Sequence, residues 1–160
     1  MPGTLTYKQA LKNASVICSK SEKCSSEIIA SFRQWGLTEE EISTGIDYLK
    51  KEIFIDDQRY AANFVHDKFR FNKWGKIKIA YMLRQKRIAE SLIADALENI
   101  PEEDYEATIR ELLRSKVKSI KAAGDRERKG KLAVFAQGRG FESDIAYRIA
   151  GEIISVKSDD

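Results

Sequence analysis

The amino-acid sequence predicts an all-α protein built as three tandem three-helix repeats, stacked into an elongated, curved array. Apolar residues recur at i, i+3, i+4 and i+7 along almost the whole chain, which is the period of an amphipathic helix. Only 2 prolines and 9 glycines interrupt the 160 residues, too few for a turn-rich β-protein. Segments also superpose on one another: Phe32 and Leu37 fall on Leu83 and Ile88 with a shift of 51, and these on Ala136 and Phe141 with a further 53. Such an internal period is the mark of a repeat array, in which a unit too small to bury its own stripe stacks on its neighbours.

The first repeat, residues 1–51, opens with a stripe of Tyr7, Ala10, Leu11, Ala14, Ile17 and Cys18. Ser25 or Ser26 can cap the second helix, which carries Ile28, Ile29 and Phe32 and stops at Trp35-Gly36, where glycine suits the position after the cap. Thr38 with Glu41 makes a capping box for the third helix, whose buried face is Ile42, Ile46 and Leu49. In the second repeat, residues 52–100, Asp56 or Asp57 caps a helix with Tyr60, Ala61, Phe64, Val65 and Phe69. A break at Asn72–Gly75 leads to a helix with Ile77, Ala80, Tyr81 and Leu83, then one with Leu92, Ile93, Ala96 and Leu97. The third repeat, residues 101–160, starts with Pro101 in a first turn. Its stripe of Tyr105, Ile109, Leu112, Leu113, Val117 and Ile120 is the longest in the chain. Gly124-Asp125 breaks it before a helix with Leu132, Phe135 and Ala136, and the last helix carries Ile145, Ile149, Ala150 and Ile153. A short polar tail after Val156 is expected to fray.

Composition excludes several classes of function. A hydrophobic share of 42% builds a core, yet no run approaches the ~20 apolar residues of a membrane span. The N-terminus has no continuous apolar segment of a secretory signal, so a cytoplasmic monomer is expected. Cys18 and Cys24 cannot complete a tetrahedral zinc site, because the lone histidine, His66, is far away in sequence. The reading is a buried thiol at Cys18 and a loop thiol at Cys24. His66 has no nucleophile or acid arranged around it and reads as a surface or boundary histidine. Gly138-Arg139-Gly140 follows no strand and lacks a third glycine, so it is no phosphate loop. Asp56-Asp57 precedes an apolar stripe and reads as a helix cap, not as an acid–base pair. Neither catalysis nor a cofactor nor a metal is expected.

What remains is charge. The formal net charge is only +3, but from Lys68 to Ala89 the chain carries Lys68, Arg70, Lys73, Lys76, Lys78, Arg84, Lys86 and Arg87 and no acidic residue. A second such stretch holds Arg114, Lys116, Lys118 and Lys121. The acids of Glu39–Glu41 and of Glu102–Glu106 sit where helices begin and complement the helix dipole, whereas the basic runs have no such local explanation. A solvated helix face is the plain reading. With no carboxylate inside the run to form i,i+4 pairs, an interaction surface is the sharper one. Phe71 and Trp74 in the predicted turn either stack on a partner or plug a junction between repeats. Charge alone does not tell a phosphate partner from a carboxylate partner, and a general single-stranded-DNA-binding helical module is one reading of it.

The stretch Ile55-Asp56-Asp57-Gln58-Arg59-Tyr60-Ala61, with Trp74-Gly75-Lys76, Leu83-Arg84-Gln85-Lys86 and Ile88 at helical spacings beyond it, resembles the signature of the RecX family. Ser25-Ser26-Glu27-Ile28 and Arg139-Gly140-Phe141 extend the likeness over residues 6–154. The resemblance implies three three-helix repeats and a regulator that binds RecA filaments on single-stranded DNA. Such a regulator inhibits strand exchange, ATP hydrolysis and RecA-stimulated repressor cleavage, and so modulates recombinational repair and the SOS response. It marks Asp56, Asp57, Arg59, Tyr60 and Gly75 as the family's structural residues. Lys68, Arg70, Lys73, Trp74, Lys76, Lys78, Arg84, Lys86, Arg87, Lys116, Lys118, Lys121 and Arg139 are the expected partner contacts, with a weak direct contact to DNA also expected. Two departures stand out: Lys86-Arg87-Ile88 where the family usually has Lys-Gly-Ile, and Gln137-Gly138 where bulkier or basic residues are common.

Overall fold

A computed structural model describes residues 4–159, with side chains as far as Val156. Among the described residues there are nine helices and no strand: α1 Tyr7–Lys20, α2 Ser25–Gln34, α3 Glu39–Lys51, α4 Asp57–Arg70, α5 Lys76–Gln85, α6 Glu90–Glu98, α7 Glu102–Val117, α8 Asp125–Gly138 and α9 Ser143–Asp159. None of these helices is long and apolar enough to cross a membrane.

The chain forms two compact units, and the helices of the middle repeat are divided between them. One unit comprises residues up to Asn63 with Leu83–Ile93, the other Phe64–Met82 with Ala94 onward. In the first, Ala10, Ala14, Ile28, Phe32, Leu37, Ile42, Ile46, Leu49 and Ile55 make one core. Phe32 is wholly buried there, and truncating a side chain of that kind to alanine costs about 3–5 kcal/mol. In the second, α7, α8 and α9 pack pairwise. They bury Ile109, Leu113, Leu132, Ala133, Ala146 and Ile149. The rings of Phe69, Tyr105 and Phe141 run through this unit with centroids 5.8 and 5.3 Å apart.

The repeat is visible in its turns. After α2, Leu37 N–H donates to Phe32 O and Gly36 N–H to Arg33 O, both at 3.1 Å, the two bonds of a Schellman cap. After α5 the same bonds join Ile88 to Leu83 and Arg87 to Arg84, and after α8 they join Phe141 to Ala136 and Gly140 to Gln137. All six residues of the superposed apolar pairs are buried. The residue in the slot between them is left-handed each time, with φ of 83° at Gly36, 57° at Arg87 and 97° at Gly140. Arginine therefore holds a turn that glycine makes in the other two repeats.

Several expectations need correction. The cap of α2 is Cys24, not Ser25 or Ser26: the Glu27 carboxylate accepts the Cys24 amide at 3.0 Å. Cys24 is consequently the fully buried thiol, while Cys18 is only half-buried. On α5, Ile79 joins Ala80 and Leu83 in the core, and Ile77 and Tyr81 are more than half exposed. That helix is apolar on most sides, so periodicity alone does not set its rotation. Pro101 precedes α7 as its cap. Helix α7 ends at Val117, short of Ile120, because the Ser119 amide and hydroxyl both donate to Lys116 O at 3.0 Å and tighten the last turn. The final helix runs past Val156 to Asp159.

Candidate partner-binding surface

The signature residues build joints. Asp56 caps α4, its carboxylate accepting the Arg59 amide at 3.1 Å. Asp57 reaches instead to α2 and accepts the amide of Ser25, the first residue of that helix, at 2.8 Å. Ser26 Oγ donates to Lys86 O at 2.6 Å, so the α5–α6 turn is seated on the start of α2. Burial pushes the Glu27 carboxyl up, but the Cys24 amide and the Lys86 ammonium outweigh it and hold Glu27 below the usual carboxylate range. Arg59 pairs with Glu22 and donates to Ile53 O at 3.4 Å. Tyr60 is buried beside this cluster. Loss of solvent, and then the negative charge of Glu27, push its phenol up to about 12.

The second compact unit repeats this arrangement with other residues. Lys76, which stands where Ser25 stands one repeat earlier, gives its amide to the Tyr105 hydroxyl at 3.0 Å. That hydroxyl in turn donates to the Glu142 carboxylate. Burial first, and this hydrogen bond second, raise the Tyr105 phenol pKa. The α8–α9 turn is seated on the start of α5, with Gly75 N–H on Arg139 O at 2.8 Å and Ile77 N–H on Gly140 O at 3.0 Å. Backbone meets backbone so closely that a Cβ on Gly75 would lie 2.2 Å from Gly140 C and O. Gly75 is thus required for close approach.

The basic run is partly neutralised, contrary to its reading in isolation. Carboxylates arrive from α7: Asp104 lies 3.4 Å from Arg70, and Glu111 3.4 Å from Lys73. Lys68, Lys76 and Lys78 have aromatic faces where a carboxylate would otherwise be. Lys78 and Lys68 lie 4.2 and 5.0 Å from the centre of the half-buried Trp74 ring, and Lys76 lies 4.7 Å from that of Tyr105. Ring faces attract ammonium groups without cancelling their charge, so this positive charge is not matched by carboxylates. Trp74 is thereby neither a bare stacking ring nor a deep plug, because its faces are taken by lysines. Phe71 is 77% exposed, and Ile77 and Tyr81 are exposed beyond it on α5.

Lys116 sits 5.0 Å over Phe135, while Lys118 and Lys121 are exposed past the end of α7. Arg139 Nη2 donates to Asn72 O at 2.5 Å and Nε to Lys73 O at 3.4 Å, so its guanidinium holds the turn that carries Trp74. Among the residues of the first unit, Arg84 pairs with Glu90 and Lys86 with Glu27. His66 is exposed and touches Asp67 and Phe71. Among the described residues no group of three or more His, Cys, Asp and Glu is placed to hold a metal. Sequence reasoning missed Glu27, Tyr105 and Glu142. Cys24-x-x-Glu27 has capping-box spacing and would have revealed Glu27, whereas nothing local marks the other two.

Family models match twice, as the second three-helix domain of RecX over residues 56–97 and the third over residues 102–149. A RecX regulatory protein of Clostridium acetobutylicum is 33% identical across 93% of this chain and 71% of its own length. The chain belongs to the RecX family. A regulatory protein RecX of Vibrio campbellii is 31% identical, with 93% of both chains covered. One of Clostridium botulinum is 33% identical over 75% of this chain, which spans 57% of that relative. The crystal structure of RecX from Lactobacillus salivarius superposes with a TM-score of 0.83 at 21% identity, covering 92% of this chain and 96% of that one, a likeness of fold. These matches make the chain a member of a regulatory protein family with an all-α repeat fold.

Proposed function

We propose that this RecX-family chain binds RecA filaments assembled on single-stranded DNA and inhibits their recombinase, ATPase and coprotease activities, and so tempers recombinational repair and the SOS response. The supporting observation is the set of cations around α5, Lys68, Lys76 and Lys78, which keep their charge over aromatic rings instead of spending it on carboxylates. A nucleoprotein filament offers phosphate and acidic protein surface. Long-range attraction to it speeds encounter and weakens with salt. We take residues 1–51, 52–100 and 101–160 as the three repeats of a cytoplasmic, non-catalytic monomer. Lys116, Lys118 and Lys121 extend the cationic surface in the third.

The test is the ATPase of RecA on single-stranded DNA. Sub-stoichiometric protein slows it, and the triple variant Lys68→Gln, Lys76→Gln, Lys78→Gln inhibits less while folding normally. No effect at saturating protein sinks the proposal. The same cations favour a second reading, a general single-stranded-DNA-binding module. Fluorescence anisotropy without RecA separates the two. Tight binding whose log affinity falls by about 0.7 per contacted phosphate for each decade of salt supports the module.

A further inference from the structure

On the first compact unit, α2 and the α5–α6 turn border an open groove. Ile29, Ala30 and Arg33 line one side, and Gln85, Lys86 and Arg87 the other. Two of its three cations are already matched. Arg33 makes a two-pronged contact to Glu39 at 3.1 and 3.3 Å, and Lys86 lies 3.3 Å from Glu27. Arg87 is exposed, and among the described residues its guanidinium makes no hydrogen bond, ion pair or ring contact.

Arg87 is also the strained member of its set. Its φ of 57° lies in the left-handed region that Gly36 and Gly140 occupy at 83° and 97° in the equivalent turns. Side chains of L-residues disfavour that region. The turn itself is served by glycine in the other two repeats, so its geometry does not call for an arginine. Ile53 and Lys73 hold the same region at 62° and 55°. Ile53 is uncharged and Lys73 pairs with Glu111, so Arg87 alone of the three combines the strain with an unmatched charge, which points to a binding role.

We propose that this groove receives an acidic segment of a protein partner, with a partner carboxylate gripped by the Arg87 fork and an apolar side chain set against Ile29 and Ala30. The charge pattern decides between partners. A nucleic-acid strand needs a row of cations, whereas this groove offers one uncommitted cation with Glu27 and Glu39 standing close by. A single carboxylate beside an apolar residue matches it, and the planar guanidinium binds a carboxylate in two-pronged fashion. The inference rests on the regulatory reading above, since the partner used to test it is the RecA filament.

The experiment compares full-length wild type with Arg87→Gly and Arg87→Lys by Tm and by binding to RecA filaments on single-stranded DNA and to the bare strand. Arg87→Gly relieves the strain and raises Tm by about 2–4 °C, yet weakens filament binding at least about tenfold, the loss of one strong contact. Its affinity for bare DNA is unchanged. Arg87→Lys keeps strain and charge but loses the fork, so Tm holds and filament binding falls by less. The proposal is overturned if Arg87→Gly binds the filament like wild type, if its Tm does not rise, or if binding to bare DNA falls equally, which would make phosphate the group gripped. A wild type that does not bind the filament sinks the regulatory reading, and this inference with it.

Discussion

Gly75→Ala places a methyl carbon where backbone already lies, 2.2 Å from Gly140 C and O and 2.3 Å from Phe141 N. These are main-chain atoms of a Schellman turn and cannot swing aside as the end of a flexible side chain would. The turn must retreat, and with it go two hydrogen bonds, Gly75 N–H to Arg139 O at 2.8 Å and Ile77 N–H to Gly140 O at 3.0 Å. Each is worth about 0.5–1.5 kcal/mol net, and forced overpacking adds about 1–3 kcal/mol. A loss of about 2–6 kcal/mol is expected, a large part of the ~5–15 kcal/mol that holds a domain folded. Urea denaturation followed by far-UV circular dichroism measures it. Gly130→Ala is the control: it lies inside α8 with nothing within 4 Å of its added Cβ, and it should gain about 0.5–1 kcal/mol from helix propensity. If Gly75→Ala unfolds within about 0.5 kcal/mol of wild type, the account of this joint is wrong, because ordinary surface substitutions stay in that range.

Other outcomes follow from the first joint and its thiols. Asp57→Ala leaves the Ser25 amide without its acceptor and should cost about 1–2 kcal/mol in the same assay, with Asp57→Asn, which keeps an acceptor oxygen, costing less. The folded-state pKa of Tyr60 is raised to about 12, whereas the unfolded phenol titrates near 10. Its stabilising contribution is therefore whole below about pH 10 and is lost as pH climbs towards about 12; Tyr60→Phe should flatten the fall in urea midpoint across that window, and an unchanged slope would contradict it. Burial raises both thiol pKa values, but only Cys24 is fully enclosed. Iodoacetamide should therefore label Cys18 first in the native protein and reach Cys24 only on unfolding, as peptide mass mapping would record.

The helices and several of their ends were readable because they depend on residues three to five apart, although Cys24 took the cap of α2 and α7 closed early at Val117. Thr38 and Glu41 satisfy each other's amides within one turn, and Phe32 with Leu37 closes a cap within six residues. Repeat spacing puts Arg87 in the slot of Gly36 and Gly140, but that an arginine takes the same left-handed angle there is visible only in the structure. The cations of the basic run were visible in the sequence, but which of them are paired was not. Whether Lys73 meets Glu111 or Lys76 lies over Tyr105 depends on where α7 packs, and no local spacing encodes that.

Tertiary packing decided the rest. It turned Ile77 and Tyr81 of α5 outward and Ile79 inward, a choice open in a helix apolar on most sides. It made Asp57 a cap for α2 instead of for its own helix, and Cys24 the buried thiol. Gly75 needs no special backbone angle, and only the Gly140 carbonyl pressed against it explains why no side chain fits. Amphipathic period, caps and repeat spacing are short-range properties and so are written in order along the chain. The joints join atoms 30 to 70 residues apart, and such pairings exist only once the helices have packed.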